Sequence, residues 1–227
     1  MGSNDSPGIG HKMMSVATIT LAITSMGLLF SLGGCVHMDR RGDYPTDAAR
    51  IEESAASLVR VELLTLVNDL RAMEVSIDEG AAVGVGEPLA YFTLSDSPRR
   101  PPLGDWVSHA PAGSLVPILA DESVAGVVVV ESERQVVSEL SSDSSQYMEL
   151  SRGTVLLREI LGPEAEIRPV MSMVDFVIGL SEGGAETIVF CGLPRGMYRS
   201  FSVNGRDVLL MHPYTGEEAV DALRDLR

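Results

Sequence analysis

Residues 13–32, MMSVATITLAITSMGLLFSL, carry no charged side chain. A run of about 20 such residues is what a helix needs to cross the hydrocarbon core of a bilayer. This stretch is therefore membrane-seeking, and the water-facing fold has to be built from the residues that follow it. In a chain of 227 residues, that remainder is long enough for one ordinary domain. The run exceeds the roughly 7 to 15 apolar residues of a common secretory signal, yet several of its positions are Ser or Thr. Its strongly apolar part lies at Leu28–Leu32, directly before Gly33, Gly34 and Cys35.

Leu32, Gly33, Gly34 and Cys35, after Lys12 and the uncharged run, resemble the lipobox of bacterial lipoprotein signal peptides. The resemblance covers residues 1–35 only. It implies a diacylglyceryl thioether on Cys35, cleavage between Gly34 and Cys35, and an acyl group such as palmitate on the new amine. The small glycines would let the extended backbone enter the peptidase. Residues 1–34 would be the signal peptide, 35–45 a tether, and 46–227 one domain outside the cytoplasm in the bacterial cell envelope. Val36 stands where the enterobacterial form of this family carries an Asp for inner-membrane retention, which points toward the outer membrane.

An uncleaved single-pass helix remains open. Lys12 on one side faces Arg40 and Arg41 on the other, diluted by Asp39 and Asp43, so flanking charge fixes no orientation. Energetics do not separate the readings either, because acyl chains contribute about 0.8 kcal/mol per buried methylene.

A formal net charge of −15 opposes attraction to nucleic acid or anionic lipid surfaces. Nucleic acid is thus not an expected partner. Hydrophobic residues make up 45% and aromatics only 5%, which calls for an aliphatic core. Of the 17 basic residues only Lys12 is lysine, a composition bias that points to no site. Cys35 ends the apolar segment while Cys191 ends the strand-like TIVFCGLP, so the two are not expected to pair in a disulfide.

The remainder reads as α+β, a mainly antiparallel sheet with a long N-terminal helix and a C-terminal helix. Thr46 is placed to cap a helix through DAARIEESAASL, where Val59, Leu63, Leu66, Leu70 and Met73 share one face. That stripe is expected to pack on the sheet, with an intermolecular coiled coil as the alternative. Residues 80–113 are rich in Gly, Pro and Ser and read as loop, apart from the strand candidate PLAYFTL. Trp106 and His109 in this region are candidates for a contact surface. SLVPILA and SVAGVVVV read as strands turning at Asp121 and Glu122, and ESERQVVSELSSD as a short helix or a strand extension. DSSQYMELSRGTVLLREILGP reads as a helix stopped by Gly162 and Pro163. IRPVMSMVDFVIGL and AETIVFCGL read as two paired strands. Asn204 and Gly205 between MYRSFSV and RDVLLMH signal a hairpin, and Thr215 with Glu218 opens the final helix in capping-box spacing.

Chemistry is sparse. Cys191 is the candidate nucleophile, with His212 as its base and Arg195 or Arg199 to stabilise a thiolate. That would make the protein a membrane-tethered thiol-dependent hydrolase or transferase, although CGLPRGMYR lacks the phosphatase-loop spacing. A buried structural cysteine is the competing reading. His11, His37, His109 and His212 are too scattered for a metal site, and neither Gly84 and Gly86 nor any other stretch forms a nucleotide cradle. The acidic pairs at 52–53, 121–122 and 217–218 fit solvated faces, turns or helix starts. No cofactor is expected. The favoured expectation is a lipid-anchored, non-catalytic binding or structural module for other envelope components.

Overall fold

The computed structural model describes residues 44–94, 103–172, 174–181, 184, 186–192, 201–203, 206–215 and 218. Among the described residues it is an α+β fold of antiparallel sheets and two helices. Helix α1 runs Tyr44–Ala72. It is followed by β1 (Val83–Val85), β2 (Leu89–Tyr91), a short 3-10 turn (Leu103–Trp106), β3 (Gly113–Ala120), β4 (Ser123–Glu131) and β5 (Val136–Ser141). Helix α2 (Ser145–Leu161) precedes β6 (Glu166–Val170), β7 (Phe176–Leu180), β8 (Glu186–Phe190), β9 (Phe201–Val203), β10 (Arg206–Val208) and β11 (Pro213–Thr215).

The first sheet has the order β1-β3-β4-β5, with β2 also on β3. β1 and β2 lie along one edge of β3 and are interrupted at Gly86–Pro88. Pro88 has no N–H to offer a ladder, and the register slips by one residue across the break, from Val85↔Ile118 to Leu89↔Leu115. The second sheet has the order β11-β8-β7-β6. The two sheets meet through one strand. Tyr91 O accepts from Ala112 N at 2.8 Å on the β3 side, while Phe92 N donates to Pro169 O at 2.8 Å and Phe92 O accepts from Met171 N at 2.9 Å on the β6 side. Ala90, two residues before Phe92, gives its N–H to Glu52 of α1 at 2.8 Å.

Alternation along the strands divides the core. Val116, Ile118, Val128 and Val130 face α1 and enclose Val59, Leu66 and Leu70. Leu63 joins them half-buried, whereas Met73 lies past the helix end and is largely exposed. The expected stripe therefore packs on the protein's own sheet. From the opposite face, Leu115 and Val127 join Leu150 and Leu157 of α2 and Val177, Val189 and Cys191 of the second sheet. The far face of the second sheet holds Phe92, Trp106, Phe176, Ile178, Ile188 and Phe190.

Several sequence expectations need revision. Trp106 is only 2% exposed, so it belongs to the core and not to a contact surface. Its turn is held by Arg168, which donates to Gly104 O at 3.2 Å, and by Glu186, which accepts from Gly104 N at 2.8 Å. The 80–113 region contains β1 as well as β2. IRPVMSMVDFVIGL is not one strand but two, β6 and β7, because Asp175 Oδ1 accepts Ser172 N at 3.2 Å and Ser172 Oγ donates to Val174 O, closing a turn. Of the two readings open for ESERQVVSELSSD, the strand holds: Val136–Ser141 forms β5. β9 and β10 pair as expected. Asn204, Gly205 and the expected C-terminal helix beyond Glu218 lie outside the described residues.

The β3–β4 hairpin closes Ala120↔Ser123 over two residues, with φ 47° at Asp121 and 67° at Glu122. That is the primed turn that follows strand twist and ordinarily takes Asp-Gly or Asn-Gly. Asp121 has further duties, since its Oδ1 accepts from Ala82 N at 2.9 Å. Glu122 pays the left-handed backbone cost with no compensating bond in the turn. Glu122→Gly is expected to stabilise the fold by about 1 kcal/mol and to raise the thermal midpoint by about 2 to 4 °C, read by calorimetry.

Candidate functional site

A polar cleft lies where the first turns of α1 meet the turn of the β4–β5 hairpin. Asp47, Arg50, Ile51 and Ser54 from α1, Ala110 and Pro111 before β3, and Ser132, Glu133 and Gln135 after β4 line a cleft of about 420 Å³. Its frame is a web of short bonds. Ser132 Oγ donates toward Pro111 O at 2.8 Å and Ala112 O at 2.9 Å. Gln135 Nε2 donates to Ser132 O at 2.9 Å, and Ser54 Oγ donates to Gln135 Oε1. Gln135 itself has φ 50°. Arg50 and Asp47 pair at 3.3 Å on the open side. The helix periodicity brings Asp47, Arg50 and Ser54 to one side, but only the tertiary fold sets the hairpin against them.

The Cys191 and His212 candidates fall elsewhere. β11 pairs with β8 at Pro213↔Val189 and Tyr214↔Ile188. Continuing that register sets His212 opposite Phe190, and facing residues share a side while neighbours alternate. His212 accordingly stacks edge-on against Tyr214 at 5.0 Å, on the side where Phe190 meets Tyr214. Cys191 points the other way, into the aliphatic cluster under α2, and is 1% exposed. The fold therefore sends these side chains to opposite faces. Burial, with Asp175 and Glu149 nearby, pushes the thiol up to about 12, so it is protonated at neutral pH. Arg195 and Arg199 lie outside the described residues.

Cys191 sits at a close approach of α2 to the sheet. A Cβ on Gly153 would overlap Cys191 Sγ and reach Val177 at 3.0 Å. Beside it, two carboxyls face the bare backbone of Gly192, with Glu149 Oε2 2.6 Å and Asp175 Oδ2 3.7 Å from the position a Cβ would take. Asp175 Oδ2 accepts Gln146 Nε2 at 2.8 Å, and its backbone oxygen receives the N–H groups of Cys191 and Gly192. Burial raises the Asp175 carboxyl; burial, then Asp175 and Asp143, raise that of Glu149. Burial likewise raises Glu52, whose bond to Ala90 N partly offsets it.

Among the described residues, no group of three or more His, Cys, Asp or Glu side chains is placed to hold a metal ion. No described helix is long and apolar enough to cross a membrane, and residues 13–32 lie outside the described set. No protein-family model, curated protein or solved structure matches this chain.

The cleft matches no sequence expectation, and Glu52, expected on a solvated face, in a turn or at a helix start, is half-buried against Ala90. The spacing of Asp47, Arg50 and Ser54 was visible in the sequence, but their hairpin partners lie about 80 residues away, as in the Ser54 to Gln135 bond.

Two outcomes follow from this geometry. Gly153→Ala is expected to destabilise by about 1 to 3 kcal/mol through overpacking, with Cys191→Ala in the same chain recovering part of the loss, both read by denaturant unfolding. A carboxyl whose folded pKa is raised contributes most at low pH and loses that contribution as pH rises through the unfolded and then the folded value. Glu149→Gln should therefore stabilise at pH 7 by about 0.5 kcal/mol after solvent screening, and the gain should vanish at pH 4 in paired thermal melts.

Proposed function

We propose that this chain is a lipid-anchored cell-envelope protein whose α+β domain serves as a non-catalytic binding or structural module. The observation that carries this reading is the Leu32-Gly33-Gly34-Cys35 tetrad directly after the uncharged run. A thioether-linked lipid on Cys35 would leave 35–45 as the tether and the folded domain outside the cytoplasm, with Val36 favouring the outer membrane. Support for a binding role comes from the framed cleft at the start of α1. Support for a non-catalytic role comes from Cys191, whose protonated, buried thiol and separation from His212 remove the activated pair that a thiol enzyme needs.

The 20-residue length of the uncharged run favours a second reading, a single-pass protein with an uncleaved N-terminal helix. One measurement separates the two. Mass spectrometry of protein purified from its native host is expected to show a mature N-terminus at Cys35 with thioether and amide-linked acyl groups. Cys35→Ser is expected to keep residues 1–34 and lose the acyl mass. An intact, unacylated chain from Met1 in the native sequence would overturn the lipid-anchor reading and leave the uncleaved helix.

A further inference from the structure

The cleft at the start of α1 has an unequal division of labour among its polar groups. The neutral ones, Ser54, Ser132 and Gln135, are bonded to one another or to backbone oxygens, so they build the frame. The charged ones stand at its opening. They are two exposed carboxylates, Asp47 and Glu133, and one exposed guanidinium, Arg50, while the apolar lining residues Ile51 and Pro111 are half-buried and buried. We propose that this cleft receives a lysine or arginine side chain from an extended peptide segment of a protein partner. The inference rests on the binding-module part of the reading above and not on lipidation at Cys35.

Four observations converge on that chemistry. The volume, about 420 Å³, lies within the range of ligand clefts. A long basic side chain matches the apolar and the charged lining together, because its alkyl stem suits Ile51 and Pro111 while its head reaches the carboxylates. The Arg50–Asp47 pair is a single contact at 3.3 Å between side chains 77% and 54% exposed, and a pair of that kind yields readily to a better-placed cation. The chain's net charge of −15 steers cations toward it and turns anionic ligands away. A peptide is favoured over a free amine because β5, the terminal strand of its sheet among the described residues, begins at Val136, next to Gln135. An extended segment would find unpaired backbone groups there.

The test is a ¹H–¹⁵N NMR titration of the full chain in detergent micelles with the capped pentapeptide Gly-Val-Arg-Val-Gly, and with the same peptide carrying Gln or Glu in place of Arg. Saturable shifts at the Ile51, Ser54 and Gln135 amides are expected with the Arg peptide and not with the other two. Asp47→Asn combined with Glu133→Gln should weaken binding by about fivefold, whereas Arg50→Gln should tighten it by about threefold, since it removes the competing cation. Glu159→Gln with Glu164→Gln, an equal charge change on exposed residues outside the cleft, should leave affinity within about twofold. The variant spectra report folding directly. Absence of saturable shifts, binding of the Glu peptide, weakening by Arg50→Gln, or equal weakening by the two neutralised pairs would each overturn the proposal.

Discussion

β2 with the adjoining Phe92 is the constraint on which the remaining architecture depends. Tyr91 closes the ladder to β3 on one edge and Phe92 closes the ladder to β6 on the other, so two separately ordered sheets share one piece of backbone. Between them the outward N–H of Ala90 would be left without a partner, a cost of about 1 to 3 kcal/mol for a buried donor, and Glu52 of α1 supplies it. That one carboxylate ties the long helix to the joint between the sheets. Its raised pKa records the same fact from the electrostatic side, since burial disfavours the charge that the bond to Ala90 partly supports. The Phe92 side chain then enters the aromatic cluster with Trp106, Phe176 and Phe190, so the joint is covalent, hydrogen-bonded and packed at once.

The placement of the reactive-looking residues follows from that architecture. Once β11 is registered on β8, alternation sends Cys191 beneath α2 and His212 toward Tyr214. Close approach of the helix at Gly153 leaves the thiol enclosed by aliphatic neighbours, and the Asp175–Glu149 carboxyls add a field that further opposes thiolate formation. A residue that chemistry alone marks as a nucleophile thus serves as a packing element. At the start of α1, by contrast, polar side chains line a cleft in which Ser54, Ser132 and Gln135 bond to each other or to backbone oxygens.

Local signals were legible where local physics decides. The apolar stripe from Val59 to Leu70, the stop at Gly162 with φ 93°, the tight turn at Asp121 and Glu122 and the pairing of β9 with β10 all depend on neighbours within a few residues. Legibility failed where a distant partner overrides composition. Trp106 sits in a Gly- and Pro-rich stretch that resembles a surface loop, yet Arg168 and Glu186 hold its turn against the core. The apolar run from Ile167 to Leu180 has no charge to break it except at Arg168 and Asp175, and the turn inside it depends on the Asp175 carboxylate reaching back to Ser172.

By itself the sequence determined the uncharged run at 13–32, the Leu-Gly-Gly-Cys tetrad after it and the α+β character with mainly antiparallel pairing, because these depend on contiguous hydrophobicity, spacing and turn chemistry. Tertiary structure alone decided that β2 would be shared between two sheets, that Cys191 and His212 would face apart, and that α1 and the β4–β5 hairpin would form a cleft. Each of these arises from register and from contacts between residues tens of positions apart. A shift of one residue in strand pairing reverses which face every side chain occupies, and no window of local sequence carries that information.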